Sequence, residues 1–113
     1  VQYALMIYAQ PGHDDAVPEA ERSTVQADYE ALGDDPRFLG GTQLEPAETA
    51  TSVRVAGGRT LLTDGPFADT KEVLGGIVLI EAADLDEAIE VAAGIPAARY
   101  GGVVEVRPVV ARR

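Results

Sequence analysis

The chain predicts an α+β fold of the ferredoxin-like kind, a split βαββαβ unit carrying one extra β-hairpin, and three features of its 113 residues point there. Two short segments, 1–9 and 76–81, are apolar on both faces and suit the middle of a sheet. Two others, 38–44 and 103–110, are diluted by glycine, proline and charge and suit its edges. Two amphipathic helical stretches alternate with these strands, which fits an antiparallel sheet with both helices on one face.

The elements follow in chain order. In residues 1–9, Val1, Tyr3, Leu5 and Ile7 share one side while Ala4, Met6 and Tyr8 share the other. Residues 10–15 form a loop. A helix starts around Pro18, with Glu19 and Glu21 at the positive end of its dipole. Val25, Tyr29 and Leu32 form its inward stripe, and Gly33 is its stop signal. The second strand carries Gly40-Gly41, which permits a bulge. Residues 49–56 are extended, and Gly57-Gly58 turns the chain into Arg59–Thr63 as a hairpin. Gly76–Glu81 is the third core strand. Asp84-Leu85-Asp86-Glu87 is a capping box, followed by a stripe of Leu85, Ala88, Ile89, Ala92 and Ala93, and Gly94 and Pro96 end that helix. In the last strand Val104 and Val106 point one way and Glu105 and Arg107 the other, with Pro108 marking an edge.

Composition narrows the function. The length predicts one domain, 1–113. With no cysteine, disulfides, thiolate catalysis and cysteine metal sites are excluded; a cytoplasmic setting is expected. The formal charge is −10, concentrated in the first fifty residues, so direct nucleic-acid binding is disfavoured. No apolar run reaches membrane-spanning length and no secretory leader is read, so no membrane association is expected.

Two helices cover one face of a four-stranded sheet and leave the other bare. That face would carry Ala4, Met6 and Tyr8 with two of Ile77, Val78, Leu79 and Ile80. At roughly 150 Å² per large side chain and about 25 cal/mol/Å², covering it is worth several kcal/mol per chain. A homodimer joined through the helix-free sheet face is therefore expected, a dimeric α+β barrel with space between the sheets.

The segment Asp64-Gly65-Pro66-Phe67, running through Ala68–Glu72 to Gly75-Gly76, combines turn chemistry with charge directly ahead of an apolar strand. Together with Tyr3–Tyr8, Gly41–Pro46, Thr51–Arg54, Thr63–Glu72, Leu74–Gly76, Ile95–Arg99 and Val104–Pro108, it makes the chain resemble the YCII-related superfamily and its DGPF-type members over nearly its whole length. That resemblance implies a dimeric α+β barrel. It implies that some relatives act on small organic acids or aromatic breakdown products, others with a His/Asp pair, and that DGPF-type proteins are often associated with extracytoplasmic-function sigma factors. Here the one histidine, His13, sits in the loop after the first strand rather than on it.

Several residues carry candidate chemistry, each with a structural alternative. His13 beside Asp14 and Asp15 offers an acid–base pair or a solvated loop. Asp64 is the one catalytic candidate: a general base facing a cleft, or a cap on the amides around Phe67. Phe67 packs the turn or lines a site, and Lys71 makes a rim ion pair with Glu72 or receives an anion. Arg54, Arg99 and Arg107 are exposed arginines or forks for a carboxylate, and Tyr8 lines a cavity or packs the interface. The expected ligand-binding set is Tyr8, Phe67, Lys71, Arg99 and Arg107, with no metal and no cofactor. The leading reading is a protein that binds a small, anionic organic molecule at the dimer interface as a regulatory accessory. The alternatives are a lyase- or isomerase-like enzyme using Asp64 and a dimer module without a pocket.

Overall fold

β1 (Gln2–Ala9) runs through the middle of the sheet because both of its faces find cover or a neighbour. It pairs antiparallel with β5 (Val73–Glu81) on one side and with β6 (Val103–Pro108) on the other. β2 (Phe38–Gln43) adds to the outer side of β5, giving the order β2-β5-β1-β6. With the hairpin set aside, this is the strand order of the split βαββαβ unit. The computed structural model describes residues 1–12 and 17–111, so His13, Asp14 and Asp15 lie outside the described residues.

Two helices, α1 (Arg22–Asp34) and α2 (Leu85–Ala93), complete the domain. The core lies between α2 and the sheet, where Leu5, Ile80 and Ile95 are fully buried with Tyr3, Val78 and Val91 around them. Each large apolar side chain sealed there contributes on the order of 2 kcal/mol. Alternation along β1 sends Ala4, Met6 and Tyr8 to the opposite face. Their cross-strand neighbours on β5 are Leu79, Ile77 and Leu74, and on β6 Arg107, Glu105 and Val103. The helix-free face is thus an apolar band with an ion pair along one margin, Arg107 Nη2 to Glu105 at 2.8 Å.

Three boundaries and the rotation of one helix differ most from the sequence reading, each for a local reason, while β2, β3 and β6 are one or two residues shorter than expected. Pro18 precedes a single 3-10 turn, Glu19–Glu21, before α1 starts at Arg22. α1 runs through Gly33 and ends because Pro36 forces Asp35 into an extended conformation, with ψ of 129°. β5 begins at Val73, not Gly76: the ladder to Tyr8 and Ala9 carries it back through Gly75, the extra residue of a bulge opposite Ile7 and Tyr8. α2 is turned relative to the expected stripe. Ala88, Val91 and Ala92 face the core while Leu85 and Ile89 are exposed, because the small alanines let the helix lie close to the sheet. Its capping box forms: Asp84 accepts from the Glu87 amide at 2.9 Å, and Glu87 accepts from the Ala83 amide at 3.0 Å.

α1 packs less deeply. None of its residues is buried; Val25 and Leu32 are half-buried and Tyr29 is 41% exposed. The hairpin of β3 (Thr51–Ala56) and β4 (Arg59–Asp64) forms a separate two-stranded sheet. Its turn requires positive φ at both central positions, and Gly57 and Gly58 supply 58° and 75°. Among the described residues, no helix is long and apolar enough to cross a membrane.

Candidate functional site

At one end of the helix-free face the sheet stops and two loops rise beside it. The first, leaving β2, makes a 3-10 turn over Ala47–Thr49, fixed by the Thr49 amide and hydroxyl donating to the Pro46 carbonyl at 2.9 and 2.7 Å. The second is the Asp64–Glu72 segment. Gly65, at φ of 94°, turns the chain there and donates from its amide to the Ala50 carbonyl at 2.7 Å, while the Ser52 hydroxyl donates to the Gly65 carbonyl at 2.9 Å. These bonds tie the loops into one wall.

Between this wall and the sheet lies a pocket of about 460 Å³. Tyr8 at the end of β1 and Val73 and Leu74 at the start of β5 form its sheet side. Pro66 and Phe67 close it on one flank, Leu44 and Pro46 on the other, and Glu45, Thr49 and Thr70 bring polar groups. Phe67 is 77% exposed, an unusual state for an aromatic ring. The guanidinium of Arg54 lies 4.9 Å from the centre of that ring, a cation–π contact that sets a positive charge beside the pocket. An apolar floor with hydroxyls and a cation at its margin suits a small organic body with an anionic end.

A second pocket of about 440 Å³ opens on the other face, between α1 and the sheet. It exists because Gly41 and Gly76 put no side chain beneath Tyr29 and Leu32. A Cβ at Gly41 would stand 3.2 Å from the Val78 side chain, and one at Gly76 would stand 3.2 Å from the Thr42 carbonyl.

The expected site residues separate into groups. Tyr8 and Phe67, 59 positions apart, line the same pocket. Lys71 is exposed in the loop that bears Phe67, outside the described lining. Asp64 is exposed at the end of β4, also outside that lining, and among the described residues the turn is held by the Gly65 amide donating to the Ala50 carbonyl and the Ser52 hydroxyl donating to the Gly65 carbonyl. Arg99 pairs with Asp28 at 2.5 Å and lies over Tyr100, whose hydroxyl donates to Glu21 at 2.8 Å. This cluster joins the chain after α2 to α1. The Asp28 bond raises the Arg99 pKa, and donation to Glu21 raises that of the Tyr100 phenol. Arg107, its pKa raised by Glu105, sits on the helix-free face, not among the pocket-lining residues but near enough to Tyr8 to feel its charge.

Sequence reasoning missed the 44–50 loop as a wall; its signal was Pro46 followed by Thr49, a pairing suited to a hydroxyl-fixed turn. It also missed the cavity beneath α1, whose signal was two glycines on neighbouring strands.

An antiparallel ferredoxin-like sheet with helices on one face and a pocket at the end of the other defines an α+β small-domain class. Within it, the chain belongs to the YCII-related domain family, whose model matches residues 1–112. It is also similar to an uncharacterized protein of Rhizobium meliloti (strain 1021), 45% identical over 67 residues, or 58% of this chain. That match spans 54% of the relative's own length, so this chain aligns with about half of it.

Proposed function

We propose that the protein binds a small organic molecule, with an apolar or aromatic body and an anionic group, in the pocket between Tyr8 and Phe67. The observation that carries this reading is the exposed Phe67 ring, held over an apolar floor with Arg54 on its flank. A ring ready to stack and a cation ready to pair are the two contacts such a ligand needs. Arg99 and Arg107 are engaged by Asp28 and Glu105, so the reading gives the anion to Arg54. Glu45 is the one carboxylate among the described lining residues, and no described base pairs with it, which supports binding over proton transfer. A second copy meeting the helix-free face would close the open side and turn a surface pocket into an enclosed one.

The test uses benzoate and phenylacetate as probes in thermal unfolding and calorimetry. Ligand present at a hundred times its Kd stabilises by about 2.7 kcal/mol, a shift of Tm by several degrees. The expected result is such a shift in the wild type, reduced at least tenfold in affinity by Phe67→Ala and by Arg54→Gln. No shift with either probe, or equal affinity in all three proteins, overturns the reading.

A further inference from the structure

We propose that the β3–β4 hairpin is an arm that grips a second copy of this chain. Except for Ser52, every residue of both strands is exposed. On one face of the hairpin Val53 lies opposite Leu62 and Val55 opposite Thr60, and Val53, Val55 and Leu62 are 60, 70 and 67% exposed. An isolated two-stranded hairpin is marginal in water, so this one needs a surface to lie on. The protomer does not supply it. The radius of gyration is 16.0 Å, where a compact chain of this length has about 13 Å, and the molecule extends 48 × 43 × 19 Å. It is flat and long, and the hairpin stands as a sheet apart from the four-stranded body.

Charge and area select the occupant. β3 and β4 carry two arginines, Arg54 and Arg59, against one carboxylate, Asp64 at the base of the hairpin, in a chain whose formal charge is −10. The outer part of the arm is therefore positive on an acidic protein, with Arg59 beside the Gly57-Gly58 turn, and another copy of the same acidic body is a surface it attracts. Each arm is a strip about 20 Å long and about 10 Å wide, so two of them cover roughly 800 Å² of accessible surface counted over both partners. That is below the usual size of a stable interface, about 1,600 Å². Two apposed helix-free faces of similar extent make up the difference. A reciprocal pair of arms is also what two-fold symmetry produces: each copy gives an arm and receives one. The inference rests on the second copy invoked above and names the element that holds it.

The experiment is sedimentation velocity over a dilution series of the full chain. Val53→Glu with Leu62→Glu is compared with the wild type, and Arg59→Glu serves as a milder variant that changes charge alone. Both sets of positions are exposed in the protomer, so circular dichroism and the thermal unfolding of the monomer should persist. The expected result is a wild-type dimer whose dissociation constant rises at least tenfold in the double variant. In Arg59→Glu it should rise less and lose part of its salt dependence. A wild-type monomer throughout the series overturns the arm, and so does a dimer indifferent to all three substitutions. The pocket is judged separately, by the loss of benzoate and phenylacetate affinity in Phe67→Ala and Arg54→Gln, whose outcome is distinguishable from a change in the dimer dissociation constant.

Discussion

Arg37 shows how single side chains organise the domain. It donates to both oxygens of Asp35, at 2.9 and 2.7 Å, while the Arg37 amide also donates to Asp35 at 2.8 Å. Its other nitrogen reaches Glu87 at 3.5 Å, so the corner entering β2 is joined to the first turn of α2. These donors hold the Asp35 carboxyl down to about 2, and the Arg37 guanidinium is raised in turn. A depressed carboxyl pKa means that the folded protein binds the proton less readily than the unfolded chain. The stabilisation is therefore complete above about pH 4 and is lost as the pH falls through about 2. Asp35→Asn should lower Tm at neutral pH, and its deficit from the wild type should shrink steadily as unfolding is followed from about pH 4 to about pH 2. A deficit that stays constant with pH would show that Asp35 acts through shape alone.

At the scale of elements, the best-specified piece is α2. Its start is written in Asp84 and Glu87, and both carboxylates accept the amides that a capping box requires. Asp84→Ala should cost about 1 kcal/mol and lower Tm by roughly 5 °C, read by denaturant and thermal unfolding. The strands were legible because two-sided apolar runs can only be central, and glycine, proline and charge can only be tolerated at the margins. What the sequence left open was rotation and register. Ala88 and Ala92 belong to both possible stripes of α2, so periodicity alone could not choose between Val91 and Leu85 as their companion; close approach to the sheet chooses Val91. Gly75 reads as lying ahead of a strand that starts at Gly76, because glycine is rare inside one, whereas here Gly75 is the bulge residue within it. For the site, Phe67 and Tyr8 were legible as candidates, but their meeting at one pocket depends on the chain folding β5 back beside β1. Arg99 was legible as a cation and not as the partner of Asp28, 71 positions away.

Over the whole molecule, the two faces of the sheet differ in cover. One face of the sheet is sealed by helices, while the other presents Met6, Tyr8, Ile77 and Leu79 beside a projecting hairpin. Contiguous apolar surface of this kind marks an interaction site rather than a solvated flank. In the proposed dimer a second copy covers it, with the pocket at its end and the arm across its side. Met6 is the point at which this is most exposed to test, since it stands mid-strand on the helix-free face, opposite Ile77 and Glu105. Sedimentation equilibrium on the wild type and Met6→Asp measures the claim directly. The account predicts twice 11.8 kDa for the wild type, and 11.8 kDa or aggregation for the variant. A wild-type protein that remains at 11.8 kDa across the concentration range, with Met6→Asp indistinguishable from it, would contradict it.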